Sequence, residues 1–228
     1  MLFVASTVHA MAGAGTAMVA MPPLVLALGV QRATPLVGLA ALFTVLVVLA
    51  RDWRAIDLRA SGRLLAGSVL GIPCGVLMIQ ALPGALLEAA LGLLLAAYGA
   101  FQLWRPRLPQ GLPRGAVYPF GFVAGVLGGA YNTNGPPVIL YGLMARWSPQ
   151  RFRATLSGYF LPTAVVVCAT HALGGLWTAQ TFVALAWSLP VLIVGNLCGR
   201  RLASTIDPVR FTRLLHALVL GAGLLLMF

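Results

Sequence analysis

The sequence predicts an all-α integral membrane protein. It reads as one transmembrane domain over residues 1–228, built from two inverted-topology repeats, each a re-entrant broken-helix hairpin plus three transmembrane helices. Three observations carry that prediction. The first is composition: 60% of the 228 residues are hydrophobic and 8% are charged, with a mean hydropathy of +0.95. Soluble domains carry about 25% charged residues, and so few charges cannot cover a water-facing surface. The solvent must be lipid. The second is a pair of long apolar segments, each interrupted by glycines and then a double proline. The third is the placement of the arginines, which supply every basic residue of a chain with net charge +11.

Leu2 to Val30 is the first interrupted segment, with Ala12-Gly13-Ala14-Gly15 and then Pro22-Pro23. Proline lacks a backbone donor and disfavours helix in the residue before it, so two half-helices are expected there. Met1 to Ala12 has no basic residue and reads as mature sequence, not as a signal peptide. Three apolar runs long enough to span a bilayer follow, Thr34 to Ala50, Leu64 to Ala81 and Ala85 to Trp104. Ala116 to Met144 is the second interrupted segment, with Gly128-Gly129 and then Pro136-Pro137. Ala154 to Leu173, Thr181 to Gly199 and Phe211 to Phe228 complete the set.

The halves, residues 1–104 and 116–228, share landmarks in the same order. Each opens on glycines and a proline pair. Arg32-Ala33-Thr34 is answered by Arg153-Ala154-Thr155, Gly71 and Gly75 by Gly195 and Gly199, and Pro83 by Pro208. The Gly-x-x-x-Gly spacing suits close helix approach, within a subunit or between copies in a homo-oligomer. If Ala116 to Met144 crossed the membrane once, the arginines would divide almost evenly between the two sides. If it dips in and returns, Arg32 stands alone outside and the other fourteen lie inside, as the positive-inside rule expects. Three crossings between the two hairpins then invert the second half, the plan of many transporters. Both termini are expected outside.

In a soluble protein the basic charge would suggest nucleic acid. Here the arginines sit in short loops and read as contacts to anionic lipid headgroups, and no stretch has the aromatic interleaving of a nucleic-acid-binding face. Cys74, Cys168 and Cys198 lie singly in apolar runs and read as packing residues. No metal cluster, cofactor loop or Ser/His/Asp set is present, and Glu88 is the one carboxylate inside an apolar run, in an early helical turn that suits its charge. Enzymatic chemistry is not expected.

Irregular backbone at membrane depth must line protein or a water-filled cavity, so the functional site is expected where the two hairpin tips meet. From the second come Gly128, Gly129, Tyr131, Asn132, Thr133, Asn134 and Gly135, two amides, a hydroxyl and a phenol beside a helix N-terminus. Such a terminus suits a small anion. The competing reading is that the Asn-Thr-Asn run simply caps the helix. From the first come Gly13, Gly15 and Thr16, with Thr16 equally readable as bonding back to its own helix. His9 is a further candidate, to carry a proton, touch substrate or pack. His171 and His216, near helix ends, are expected at the interface.

The glycine stretch with Pro22-Pro23, the Arg-Ala-Thr helix starts, the Arg51 to Asp57 loop, the Gly67/Gly71/Gly75 helix and Gly128-Gly129 through Pro136-Pro137 together resemble the sulfite exporter TauE/SafE family of bacterial membrane transporters. The resemblance covers essentially the whole chain, its specificity lying in the order and duplication of the motifs. It implies transport of sulfite, sulfoacetate or another organosulfonate or sulfur oxyanion across the bacterial inner, cytoplasmic membrane. An anion channel would use the same hairpins, and a membrane-embedded scaffold or enzyme is the alternative from another class.

Overall fold

Both interrupted segments are pairs of short helices. The computed structural model describes residues 2–12, 16–52, 58–104, 106, 108–109, 112–202 and 207–227, and the regular elements among them are helical. In chain order they are α1 (Leu2–Ala12), α2 (Thr16–Leu28), α3 (Val30–Asp52), α4 (Leu58–Ala81), α5 (Gly84–Trp104), α6 (Val117–Tyr131), α7 (Gly135–Met144), α8 (Pro149–Leu173), α9 (Ala179–Leu202) and α10 (Pro208–Leu225), with a 3-10 turn at Arg114–Ala116. Helices α3, α4, α5, α8 and α9 are long and apolar enough to cross a membrane. The chain is a multi-pass membrane protein. The sixth expected span, Phe211 to Phe228, falls on α10, an 18-residue helix that starts three residues earlier, carries Arg210 and Arg213 in its first turns and is not one of those five.

The long helices overrun the apolar runs because arginine is a good helix former, and at α8 a capping residue sets the start further out. The expected start of α8 at Ala154 moves back to Pro149, where Ser148 caps the helix by accepting the Arg151 N–H at 3.3 Å and proline fits the first turn. Glu88 falls in the second turn of α5 and is half-buried.

One expectation is corrected. Pro22 and Pro23 lie inside α2 and do not break it; α1 ends at Ala12 and α2 begins at Thr16. Pro136 and Pro137, by contrast, open α7 as expected.

The described chain divides into two compact units that do not follow the halves. Residues 1–40, 79–106 and 177–228 form one, and residues 41–78 and 107–176 the other. In the first unit α1 packs on α2 and α9, and α5 packs on α10. A β-carbon at Gly195 or Gly199 would strike α1 at Phe3 and Ser6 or at Thr7 and Ala10, so the expected close approach is made here. Gly92 and Gly99 play the same part against α10. Tyr98 of α5 meets His216 of α10 edge-on at 5.9 Å, which places His216 in a helix–helix contact and not simply at the interface. Along α9, Val183, Trp187, Val191 and Val194 stay exposed, an apolar face suited to lipid.

In the second unit α4 and α6 interlock through two glycine ridges. Gly67, Gly71 and Gly75 abut the α6 backbone, and Gly121, Gly125 and Gly129 abut that of α4 at Leu64, Ser68 and Ile72. Close approach brings polar groups together in the seam. The Ser68 hydroxyl donates to the Gly121 carbonyl at 2.7 Å, so its single proton is spent, and the Tyr159 hydroxyl of α8 donates to Ser68 at 2.7 Å. The phenyl ring of Phe120, near the start of α6, lies 5.5 Å from that of Tyr141, near the end of α7. The two legs therefore run antiparallel. At 15 and 10 residues they are about 22 and 15 Å long, too short to span a core of about 30 Å. Of the cysteines, Cys168 is buried as a packing residue should be, Cys198 is half-buried, and Cys74 is exposed on α4.

Candidate functional site

The turn between α6 and α7 is built by one residue in an unusual conformation. Asn132 has φ 55°, in the left-handed region, which asparagine tolerates better than most side chains. The chain doubles back there. The Asn132 N–H bonds the Gly128 carbonyl at 2.9 Å and the Thr133 N–H bonds the Leu127 carbonyl at 3.1 Å. In an uninterrupted helix the Thr133 N–H would have bonded Gly129. Its diversion leaves the Gly129 carbonyl without a helical donor, and His171 of α8 fills the place: its Nε2 lies 2.8 Å from that oxygen.

Thr133 and Asn134 hold the turn together and tie it to α8. Thr133 is buried, and its hydroxyl donates to the Tyr131 carbonyl at 3.0 Å. Asn134 stands at the N-cap of α7 but makes no side-chain cap. Its Nδ2 instead donates across to Thr163 Oγ1 on α8 at 3.2 Å, whose own proton goes to the Tyr159 carbonyl at 2.7 Å. The capping reading thus fails for Asn134. Asn132 and Asn134 are half-buried, while Tyr131 and Gly135 are buried. A β-carbon at Gly128 would sit 3.2 Å from Asn134 Cβ and 3.7 Å from Val167 Cγ2. Gly129 serves the α4 seam, so its missing side chain is a packing requirement.

Pro136 and Pro137 alter the expected electrostatics. They occupy the second and third positions of α7 and have no N–H, so the terminus keeps fewer free backbone donors than an ordinary helix start. There is no aspartate or glutamate on α4, α6, α7 or α8, and among the described residues no group of three His, Cys, Asp or Glu side chains could hold a metal.

Of the first hairpin's candidates, His9 is a buried residue of α1. Gly13 and Gly15 lie outside the described residues, and Thr16 is the first residue of α2, its side chain likewise outside them.

Sequence reasoning missed the face of α8. Thr155, Tyr159, Thr163 and His171 are all fully buried, and with Val167 they form an unbroken i, i+4 row about 24 Å long. Their spacing is visible in the sequence. His171, expected at the interface, is instead at the bottom of the turn.

The family model for the sulfite exporter TauE/SafE proteins matches residues 1–226. The chain belongs to the sulfite exporter TauE/SafE family. Its members are membrane exporters and not enzymes. A relative from Cupriavidus necator, the probable sulfite/organosulfonate exporter TauE, is 28% identical over 180 residues, covering 77% of this chain and 68% of its own. No solved structure matches the chain.

Proposed function

We propose that this member of the exporter family is a secondary transporter moving a small anion, sulfite, sulfoacetate or another organosulfonate or sulfur oxyanion, across the bacterial cytoplasmic membrane. The observation that carries the reading is the α6–α7 turn. It offers the amides of Asn132 and Asn134 and the Gly135 N–H that opens α7, in surroundings with no carboxylate on α4, α6, α7 or α8. A sulfur oxyanion presents only acceptors, so it needs converging donors where water is scarce. A cation would need the carboxylate this region lacks.

An inverted repeat accounts for the helix pairing. In one unit the first leg of a hairpin, α1, packs on α9 at Gly195 and Gly199; in the other the first leg α6 packs on α4 at Gly71 and Gly75. Each pair joins a hairpin of one half to the second long helix of the other, through the same glycine spacing. The final helices of the halves, α5 and α10, pair with each other. His9, Gly13, Gly15 and Thr16 belong to the same proposal as the first hairpin's contribution.

The test is binding and flux. Purified protein should be thermally stabilised by sulfite, thiosulfate or short sulfonates, and proteoliposomes should take up the same anions with saturation and mutual competition. Saturable transport of an organic cation without anion competition would overturn the reading. Unsaturable anion conductance would replace the carrier with a channel.

A further inference from the structure

We infer that Nδ1 of His171 is a proton-binding site linked to the anion site at the α6–α7 turn, so that the anion is bound together with a proton. The inference rests on the functional reading above and adds a coupling ion to it.

A carbonyl oxygen can only accept, so the 2.8 Å contact with Gly129 requires Nε2 of His171 to carry the hydrogen. In a neutral ring Nδ1 is then a bare acceptor. It is buried within a fully buried side chain and has no hydrogen-bond partner. Buried polar atoms are satisfied in the great majority of cases, and an exception calls for an explanation. One proton would remove the deficit and leave the bond to Gly129 in place, because imidazolium donates from both nitrogens.

The surroundings say what that proton would be for. Thr163, Val167 and His171 follow one another along α8, the first holding Asn134, the second beside Gly128, the third on Gly129. The ring therefore lies about 12 Å, two turns of α8, from the residue that holds Asn134, and on the carbonyl three residues before Asn132. On α6, the element packed against it, the titratable side chains are Tyr118 and Tyr131; on α8 they are Arg151, Arg153, Tyr159 and Cys168. The phenols and the thiol are neutral when protonated. The arginines are at least 18 residues from His171, about 27 Å along the helix, and α7 has no charged residue. On α4, whose Ile72 abuts Gly129, the charged residues are Arg59 and Arg63, at least nine residues or about 14 Å along the helix from Ile72, and Cys74 is the further titratable group. An anion in the turn thus has no cation close by on α4, α6, α7 or α8, and an unpaired charge in a dry site is strongly unfavourable. Imidazolium at His171 supplies the missing charge only when the anion is there to stabilise it.

The experiment uses the full chain in detergent with thiosulfate and methanesulfonate, which do not themselves take up protons near neutral pH. Proton uptake on binding is read with an indicator dye in weakly buffered solution, and Kd is measured between about pH 5 and 8. The sign follows from linkage: the bound form holds the proton and the free form does not, so raising the pH removes it and weakens binding. About one proton per anion and a Kd that rises roughly tenfold per pH unit are expected. His171→Gln, whose amide can still donate to Gly129 but accepts no proton, should bind more weakly, without proton uptake and without pH dependence; His171→Asn is the second variant should the first not fold. Anion binding by the parent protein with no proton uptake would overturn this inference and leave the functional reading standing. So would uptake that persists in a variant melting like the parent. No anion binding by the parent would overturn the functional reading, and this inference with it.

Discussion

Replacing Asn132 by glycine and by alanine separates its backbone role from its side-chain role. At φ 55° a residue with a β-carbon is disfavoured by about 1 to 2 kcal/mol, and glycine is not. Asparagine lies between the two. Asn132→Gly therefore deletes the amide while keeping or easing the turn, and Asn132→Ala deletes the same amide while adding strain. For a chain of this size 1 kcal/mol moves the melting temperature by about 2 to 4 °C, so the alanine variant should melt roughly 2 to 8 °C below the glycine variant. The effect on ligand is different. If the amide donates to the anion, both variants lose one donor, which costs about 1 to 3 kcal/mol and weakens binding roughly fivefold to a hundredfold. Affinity for thiosulfate and melting temperature would be measured on both proteins in the same detergent. Glycine and alanine variants that bind as tightly as the parent would remove Asn132 from the site. Equal melting of the two would refute the strain argument, and with it the account of how the chain turns.

Three further outcomes follow from the packing. Gly125→Val should yield little folded protein, since its β-carbon would lie 2.7 Å from Ser68 Cα, whereas Gly221→Ala, with nothing within 4 Å, should be tolerated and melt no earlier than the parent; size-exclusion profiles and melting curves check both. Ser68→Ala should cost more than Tyr159→Phe, because it leaves the fully buried Tyr159 hydroxyl without its acceptor and an orphaned buried donor costs about 1 to 3 kcal/mol; the reverse order of melting temperatures would overturn the donor assignment. Cysteines introduced at Arg114 and Ser148, in a background without the native three, should be labelled from the same, cytoplasmic, side; labelling from opposite sides would remove the re-entrant hairpin and the inverted repeat together.

The long helices were legible because each is a run of apolar residues of bilayer length, and the sequence errs mainly at their ends. In the first hairpin the proline pair does not mark the break, and Gly13-Ala14-Gly15 lie outside the described residues. Gly13-Ala14-Gly15 precedes Pro22-Pro23 by the same spacing that separates Gly129 from Pro136, yet the two proline pairs sit differently. In the second hairpin Tyr131, Asn132 and Thr133 finish α6 with their own backbone and hydroxyl bonds, so the glycines can stay in its last turn and the prolines can open α7. In the first no such polar run exists, α2 has already begun at Thr16, and the prolines fall inside it. A proline pair removes two donors; it does not decide where a helix ends when tertiary packing holds the rest.

The row on α8 was hidden for another reason. Thr155, Tyr159, Thr163 and His171 recur every four residues or a multiple of four, but periodicity names a face without naming what it meets. The partner is set by the glycines of α6. Gly121, Gly125 and Gly129 turn one side of α6 onto α4, and α8 meets α6 as well. Gly129 serves both contacts. Its missing side chain admits the Ile72 backbone, and its carbonyl, deprived of the Thr133 N–H by the left-handed residue at 132, takes the His171 ring. One asparagine conformation thus explains why a histidine is buried at this depth, and a change at residue 132 that restored continuous helix would free His171 from the bond that orients it.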